Sequence, residues 1–162
     1  MRASALIRIW IERAAVSGMV RDADLHFPNE TGGVLMGYWP SDVEAVITDF
    51  IAGGPRAKRT PSRFHPDYDY QDLIIEEIYN ASEGSRTYLG DWHTHPRGRL
   101  ALSPTDKGTL RRIAKEPTAR AGSPIMLLFA GNGKWDAAAW CWRPNRRFLN
   151  RIQGCTLILY DS

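Results

Sequence analysis

Cysteine is scarce in this sequence. Only Cys141 and Cys155 occur in 162 residues, each inside an apolar run and neither in a paired zinc-ligand spacing, which argues against a disulfide scaffold or a cysteine-ligated zinc domain. Free thiols inside the core are the expectation. No apolar run reaches the roughly eighteen residues that a membrane span needs. The opening stretch, Met1 to Trp10, interrupts its apolar residues with arginine and offers no cleavage site. No signal peptide is read there, and a cytoplasmic location is expected. A strong excess of one charge is also missing: the net charge is +3, and the basic residues are scattered along the chain, which argues against nucleic acid as a partner. Internal repeats and low-complexity segments are absent. With 43% hydrophobic and 24% charged residues, the composition is that of a globular chain, and the length fits one domain spanning residues 1–162.

What the sequence does contain is a dense stretch from Trp92 to Asp106. His93 and His95 sit at i and i+2 ahead of Pro96, so on a β-strand both imidazoles share a face while Thr94 takes the other. Pro96 stops the strand. After a short loop, Ser103 followed by Pro104 reads as a helix N-cap with proline at the first helical position, which puts Asp106 in the first turn. Two histidines and one carboxylate form a three-ligand set that leaves one position of a tetrahedral divalent metal open, as in catalytic rather than structural sites. An isolated His-x-His would read as two strand histidines satisfied by hydrogen bonds. The proline, the cap and the placement of Asp106 favour the metal.

His93-Thr94-His95-Pro96 followed by Ser103-Pro104-Thr105-Asp106 resembles the signature of the JAMM (MPN+) metallopeptidases. The segment Asn29-Glu30-Thr31-Gly32-Gly33-Val34-Leu35-Met36-Gly37 is similar to the family's upstream glutamate and the hydrophobic strand after it. The resemblance implies an α-β-α, cytidine-deaminase-like architecture and one zinc ion per chain held by His93, His95 and Asp106. It further implies Glu30 as the proton acceptor and Ser103 as the donor to the oxyanion. The implied substrate is the amide after the glycine-ended tail of a ubiquitin-like protein or its conjugate. Stand-alone bacterial members, some of them in antiphage operons, are the nearest in size. A zinc nucleotide deaminase would need a Pro-Cys-x-x-Cys pair, which is missing. A metal-free MPN scaffold would have lost a ligand, and a DNA-repair-associated relative would carry an upstream DNA-binding segment.

Along the chain, residues 6–11 alternate as a strand, and Glu12 to about Leu25 carries a helical apolar stripe. Residues 33–39 and 45–51 read as paired strands. Residues 53–66 form the longest irregular stretch, with Arg56, Lys58, Arg59 and Arg63 crowded into it, and are read as either a solvated connector or a flap over substrate. A helix from Gln71 to about Ser82, the strand leading to His93 and the helix ending at Pro117 follow. Strands at residues 124–130, 134–142 and 156–160 complete an α/β chain with a mixed central sheet flanked by helices. Asp91 is a candidate to orient a ligand histidine. His26 and His65 lack ligand spacing and are read as packed or solvated.

Overall fold

The computed structural model describes residues 5–144 and 151–162; residues 1–4 of the stretch searched for a signal peptide lie outside them. Along the chain run β1 (Arg8–Glu12), α1 (Arg13–His26), β2 (Gly32–Ser41), β3 (Glu44–Ile51), β4 (Lys58–Thr60), β5 (Arg63–His65), α2 (Tyr68–Ala81), β6 (Thr87–Pro96), α3 (Pro104–Lys115), a 3₁₀ turn at Pro117–Ala119, β7 (Ile125–Gly131), β8 (Trp135–Trp142) and β9 (Ile152–Tyr160). The main sheet is ordered β1-β3-β2-β6-β7-β8-β9, and β9 also pairs with β1. The β1/β3, β6/β7 and β1/β9 pairs are parallel and the others antiparallel. This is the expected mixed sheet with flanking helices.

Strand alternation sorts the residues between two sides. On one side Ile9, Ile11, Leu35, Ile47, Trp92, Leu127 and Phe129 gather around Ala15 and Met19 of α1. On the other, Val34, Met36 and Ile51 meet Tyr70, Ile74, Ile75 and Ile78 from α2, while α3 buries Leu110 and Ile113. The phase of β6 is set by Trp92, which is 1% exposed, donates to the Ile51 carbonyl at 3.1 Å and meets Phe50 and Phe129 edge to face. A slip of one residue would drive His93 and His95 into that core and turn Trp92 outward, so burial of the indole selects the register. Gly90 lies at a register shift against β2 with φ +146°, and an added Cβ would fall 1.9 Å from the Ile125 carbonyl oxygen. Only glycine fits there.

The segment β6-α3-β7 is a parallel β-α-β unit, so the end of β6 and the first turn of α3 meet at one edge of the fold. Some details depart from the sequence reading, among them the last strand, which begins at Ile152 rather than residue 156. Residues 53–66 are not wholly irregular, because β4 and β5 form a two-stranded hairpin with Lys58 opposite His65. Helix α2 starts at Tyr68, since Asp67 accepts a bond from the Tyr70 amide and caps it three residues early.

Candidate metal centre and active site

Ser103 and Asp106 form a reciprocal capping box at the start of α3. The Asp106 amide donates to Ser103 Oγ at 3.1 Å, and the Ser103 amide donates to Asp106 Oδ2 at 2.7 Å. The cap therefore fixes the carboxylate that faces β6. Asp106 Oδ1 lies 3.1 Å from His93 Nε2, Asp106 Oδ2 lies 3.3 Å from His95 Nε2, and the two Nε2 atoms are 3.1 Å apart. Around a tetrahedral zinc with ligand bonds near 2.0–2.1 Å, neighbouring donor atoms are separated by about 3.3 Å. The three side chains are spaced for one such ion.

The hydrogen-bond chemistry agrees. His95 Nδ1 is 3.1 Å from the Arg99 carbonyl oxygen, which can only accept, so the proton sits on Nδ1 and the Nε2 lone pair points at the cluster. Bonding to Asp106 raises the pKa of His95 against the opposing effect of burial. Burial would raise Asp106, but its bonds to both imidazoles hold it below the usual carboxylate range. A carboxylate clamped between two imidazoles is electrostatically prepared for a cation.

Glu30 lines the same cleft as His93, His95, Ser103 and Asp106. It precedes β2, where Gly32 faces His93 in register; a Cβ on Gly32 would lie 2.4 Å from the Trp92 carbonyl oxygen. The double glycine brings the glutamate's strand hard against the histidine strand. Burial pushes the Glu30 carboxyl up, the charges of His93 and His95 pull it down, and Asp106 adds to the rise. A divalent cation beside it would also pull it down.

What holds Glu30 is a residue that the motif reading passed over. Thr31 is fully buried. Its amide donates to Thr94 Oγ1 at 3.0 Å, its carbonyl accepts from the Thr94 amide at 2.9 Å, and its hydroxyl donates to Asp22 Oδ2 at 2.7 Å while accepting from Arg59 Nε at 3.0 Å. Thus α1 and the hairpin meet at the Thr31 side chain while β6 holds its backbone, all on the residue that leads into β2. The Glu30 amide itself donates to the Thr60 carbonyl at 2.8 Å. Threonine at both Thr31 and Thr94, each next to a proposed site residue, was the available sequence signal.

The other candidate residues are distributed differently. Asp91 accepts a 2.7 Å bond from the Tyr88 hydroxyl and hydrogen-bonds to neither imidazole among the described residues; burial raises both groups. Arg56 is engaged by Asp67 at 3.2 Å and Asp69 at 2.8 Å. Arg59 is held by Thr31 and lies over the Phe64 ring, Lys58 is exposed, and Arg63 lines the cleft. His26 sits 3.6 Å from Asp22, and His65 meets Tyr68 edge to face. From the His93, His95 and Asp106 cluster the cleft, 1670 Å³ in volume, runs between α2 and α3 over a floor that includes Val34, Met36 and Met126.

Comparison with known proteins gives this geometry its family. A protein of Sinorhizobium fredii named probable metalloprotease y4qB is 42% identical over 143 residues, which cover 87% of this chain and 87% of that one. A Vibrio cholerae protein named CD-NTase/cGAS isopeptidase is 32% identical over 87 residues, 54% of this chain and 55% of its own length. The solution structure of protein DSY2949 from Desulfitobacterium hafniense shares the fold, with a TM-score of 0.70 at 18% identity over 95% of this chain and 94% of that one. The model of the prokaryotic homologs of the JAB domain matches residues 12–144. The chain therefore belongs to the prokaryotic JAB-domain homologues, within the JAMM/MPN+ metallopeptidases.

Proposed function

We propose that the chain is a zinc-dependent isopeptidase that cuts the amide bond after the glycine-ended tail of a ubiquitin-like protein, and that it works in the cytoplasm, in antiviral defence. The observation that carries the reading is the convergence of His93, His95 and Asp106, spaced for one ion, with Glu30 and Ser103 in the same cleft. The isopeptidase name of the Vibrio cholerae relative supports a protein conjugate as substrate.

His93 Nε2, His95 Nε2 and Asp106 would hold the zinc. When bound, zinc supplies a water of near-neutral pKa and a Lewis acid for the scissile carbonyl. Glu30 accepts the proton from the water whose oxygen attacks the carbonyl carbon, and returns it to the leaving amine as the C–N bond breaks. Ser103 Oγ already accepts from the Asp106 amide through a lone pair, so its hydroxyl proton is free to donate to the oxygen on which charge develops. Thr31 and Thr94 keep Glu30 in register with the histidines. Arg63 is the cation of residues 56–63 best placed to meet the tail, with Lys58 as a second contact; Arg56 and Arg59 are occupied by protein partners. Asp91 acts with Tyr88 on the cleft floor.

The test is cleavage of a ubiquitin-like protein joined by an amide at its terminal glycine, with and without zinc, beside elemental analysis of the protein. The expectation is about one zinc per chain and cleavage abolished by chelation and restored by zinc. Protein that takes up no zinc, or cleaves equally well without it, overturns the proposal.

A further inference from the structure

The flank of α3 turned away from the catalytic cleft borders a second groove, 1150 Å³ in volume, against β8 and β9. Three of its lining residues, Lys107, Arg111 and Lys115, recur at every fourth position of α3 and so form one stripe, stepping about 6 Å along the axis each time. All three are exposed, and none makes an ion pair among the described residues. Arg151 adds a fourth cation, and no acidic side chain among the described residues lines the groove.

Its floor is aromatic. Trp140 and Trp142, at i and i+2 of β8, share one face. The Arg151 guanidinium lies over the Trp142 ring at 5.6 Å, and that tryptophan is only 9% exposed, so its face is taken. Trp140 is half-buried and stands opposite Gly154, where an added Cβ would meet nothing within 4 Å. The groove thus combines a regular row of exposed cations, without ion-pair partners among the described residues, with one accessible aromatic flank.

We infer that this groove docks an extended acidic segment of a protein partner. The carboxylates at alternate residues meet Lys107, Arg111 and Lys115, and an apolar side chain rests on Trp140. Alternate residues of an extended strand lie about 6.6 Å apart, close to the helical step of the cations, so a peptide laid along α3 keeps charge opposite charge through three contacts. Single-stranded nucleic acid offers a comparable row of charges, but it gains its affinity from bases stacked on open aromatic faces. Here Arg151 already covers one of the two rings. The inference is independent of the isopeptidase reading, because it uses no residue of the catalytic cleft.

The experiment is fluorescence anisotropy on the full chain with three probes at equal salt. They are a short peptide with glutamate at every second position, a peptide of the same composition with its glutamates in one block, and oligothymidylate. The alternating peptide should bind best. The Lys107→Gln/Arg111→Gln/Lys115→Gln variant should weaken it by about tenfold or more, the factor that three surface ion pairs together supply. Lys134→Gln, in the turn between β7 and β8, should leave it unchanged. The replaced side chains are exposed, and an unaltered thermal transition checks that the fold is intact. Equal binding of the two peptides, tighter binding of oligothymidylate or unchanged affinity in the triple variant overturns the inference.

Discussion

Replacing Thr31 by valine removes one hydroxyl from a fully buried position and keeps the shape of the side chain. Two hydrogen bonds to charged partners are lost, the 2.7 Å bond to Asp22 and the 3.0 Å bond from Arg59, whereas the bonds between the Thr31 backbone and Thr94 survive. Bonds to charged groups contribute about 1.5–3 kcal/mol each. Asp22 retains His26 at 3.6 Å and some access to water, and Arg59 retains Phe64, so the lower end applies. The expected loss is about 3 kcal/mol, which for a chain of this length lowers Tm by roughly 6–12 °C. Activity should suffer separately, because Thr31 fixes the backbone next to Glu30. Displacing a reacting group by about 1 Å costs on the order of 10²-fold, so a partial loosening should lower kcat by about tenfold with the metal content unchanged. Differential scanning calorimetry, elemental analysis and steady-state cleavage measure the three quantities. A Tm within about 1 °C of the parent together with an unchanged kcat would refute the argument that this hydroxyl joins α1 and the hairpin to the active-site strand.

Further expectations separate the roles within the cleft. Glu30→Gln should retain the metal while cleavage falls by roughly 10²–10⁴-fold, whereas His95→Ala should lose both; loss of metal from Glu30→Gln in elemental analysis would make Glu30 a ligand. Ser103→Ala removes the helix cap, at about 1 kcal/mol of stability in denaturant titrations, and about 3–4 kcal/mol of transition-state stabilisation in kcat/KM if the hydroxyl meets the oxyanion. A change in stability alone would leave Ser103 as a cap. His95 is raised above its ordinary value by Asp106, so in metal-free protein its contribution to stability is present below the unfolded pKa and is lost as pH rises through the folded one. Metal binding needs the neutral imidazole and so weakens as pH falls through the same window. Thermal scans at about pH 5–8 should therefore show the metal-free and metal-bound forms diverging as pH rises, and parallel profiles would contradict this.

The clustering of His93, His95 and Asp106 was legible in the sequence because its parts obey local rules. An i, i+2 pair on a strand, a proline stop and a serine cap each act within a few residues, and together they bring the two histidines to Asp106. The mixed sheet was legible for the same reason, from alternating and apolar runs. The Thr31 junction was not, since its side-chain partners lie 9 and 28 residues away and Thr94 lies 63 away; nothing local marks them as neighbours. The β4/β5 hairpin escaped because three-residue strands are too short to show a period. Among the four cations crowded there, composition could not distinguish Arg56, tied to two aspartates, from Arg63 in the cleft.

The capping box bears on the choice of ion. One oxygen of Asp106 is committed to the backbone amide of Ser103 at 2.7 Å, which leaves the other as the oxygen free of backbone bonds. A donor set of two imidazoles and one half-engaged carboxylate is too small and too rich in nitrogen for calcium, which collects six to eight oxygens, and ill-suited to magnesium, which keeps an octahedral shell of oxygens and water. Borderline ions that accept four neighbours and favour imidazole are the ones it can retain. In the proposed site the helix terminus thus adds to the imidazoles' discrimination against hard cations, and a substitution that frees the second carboxylate oxygen should broaden the range of ions accepted.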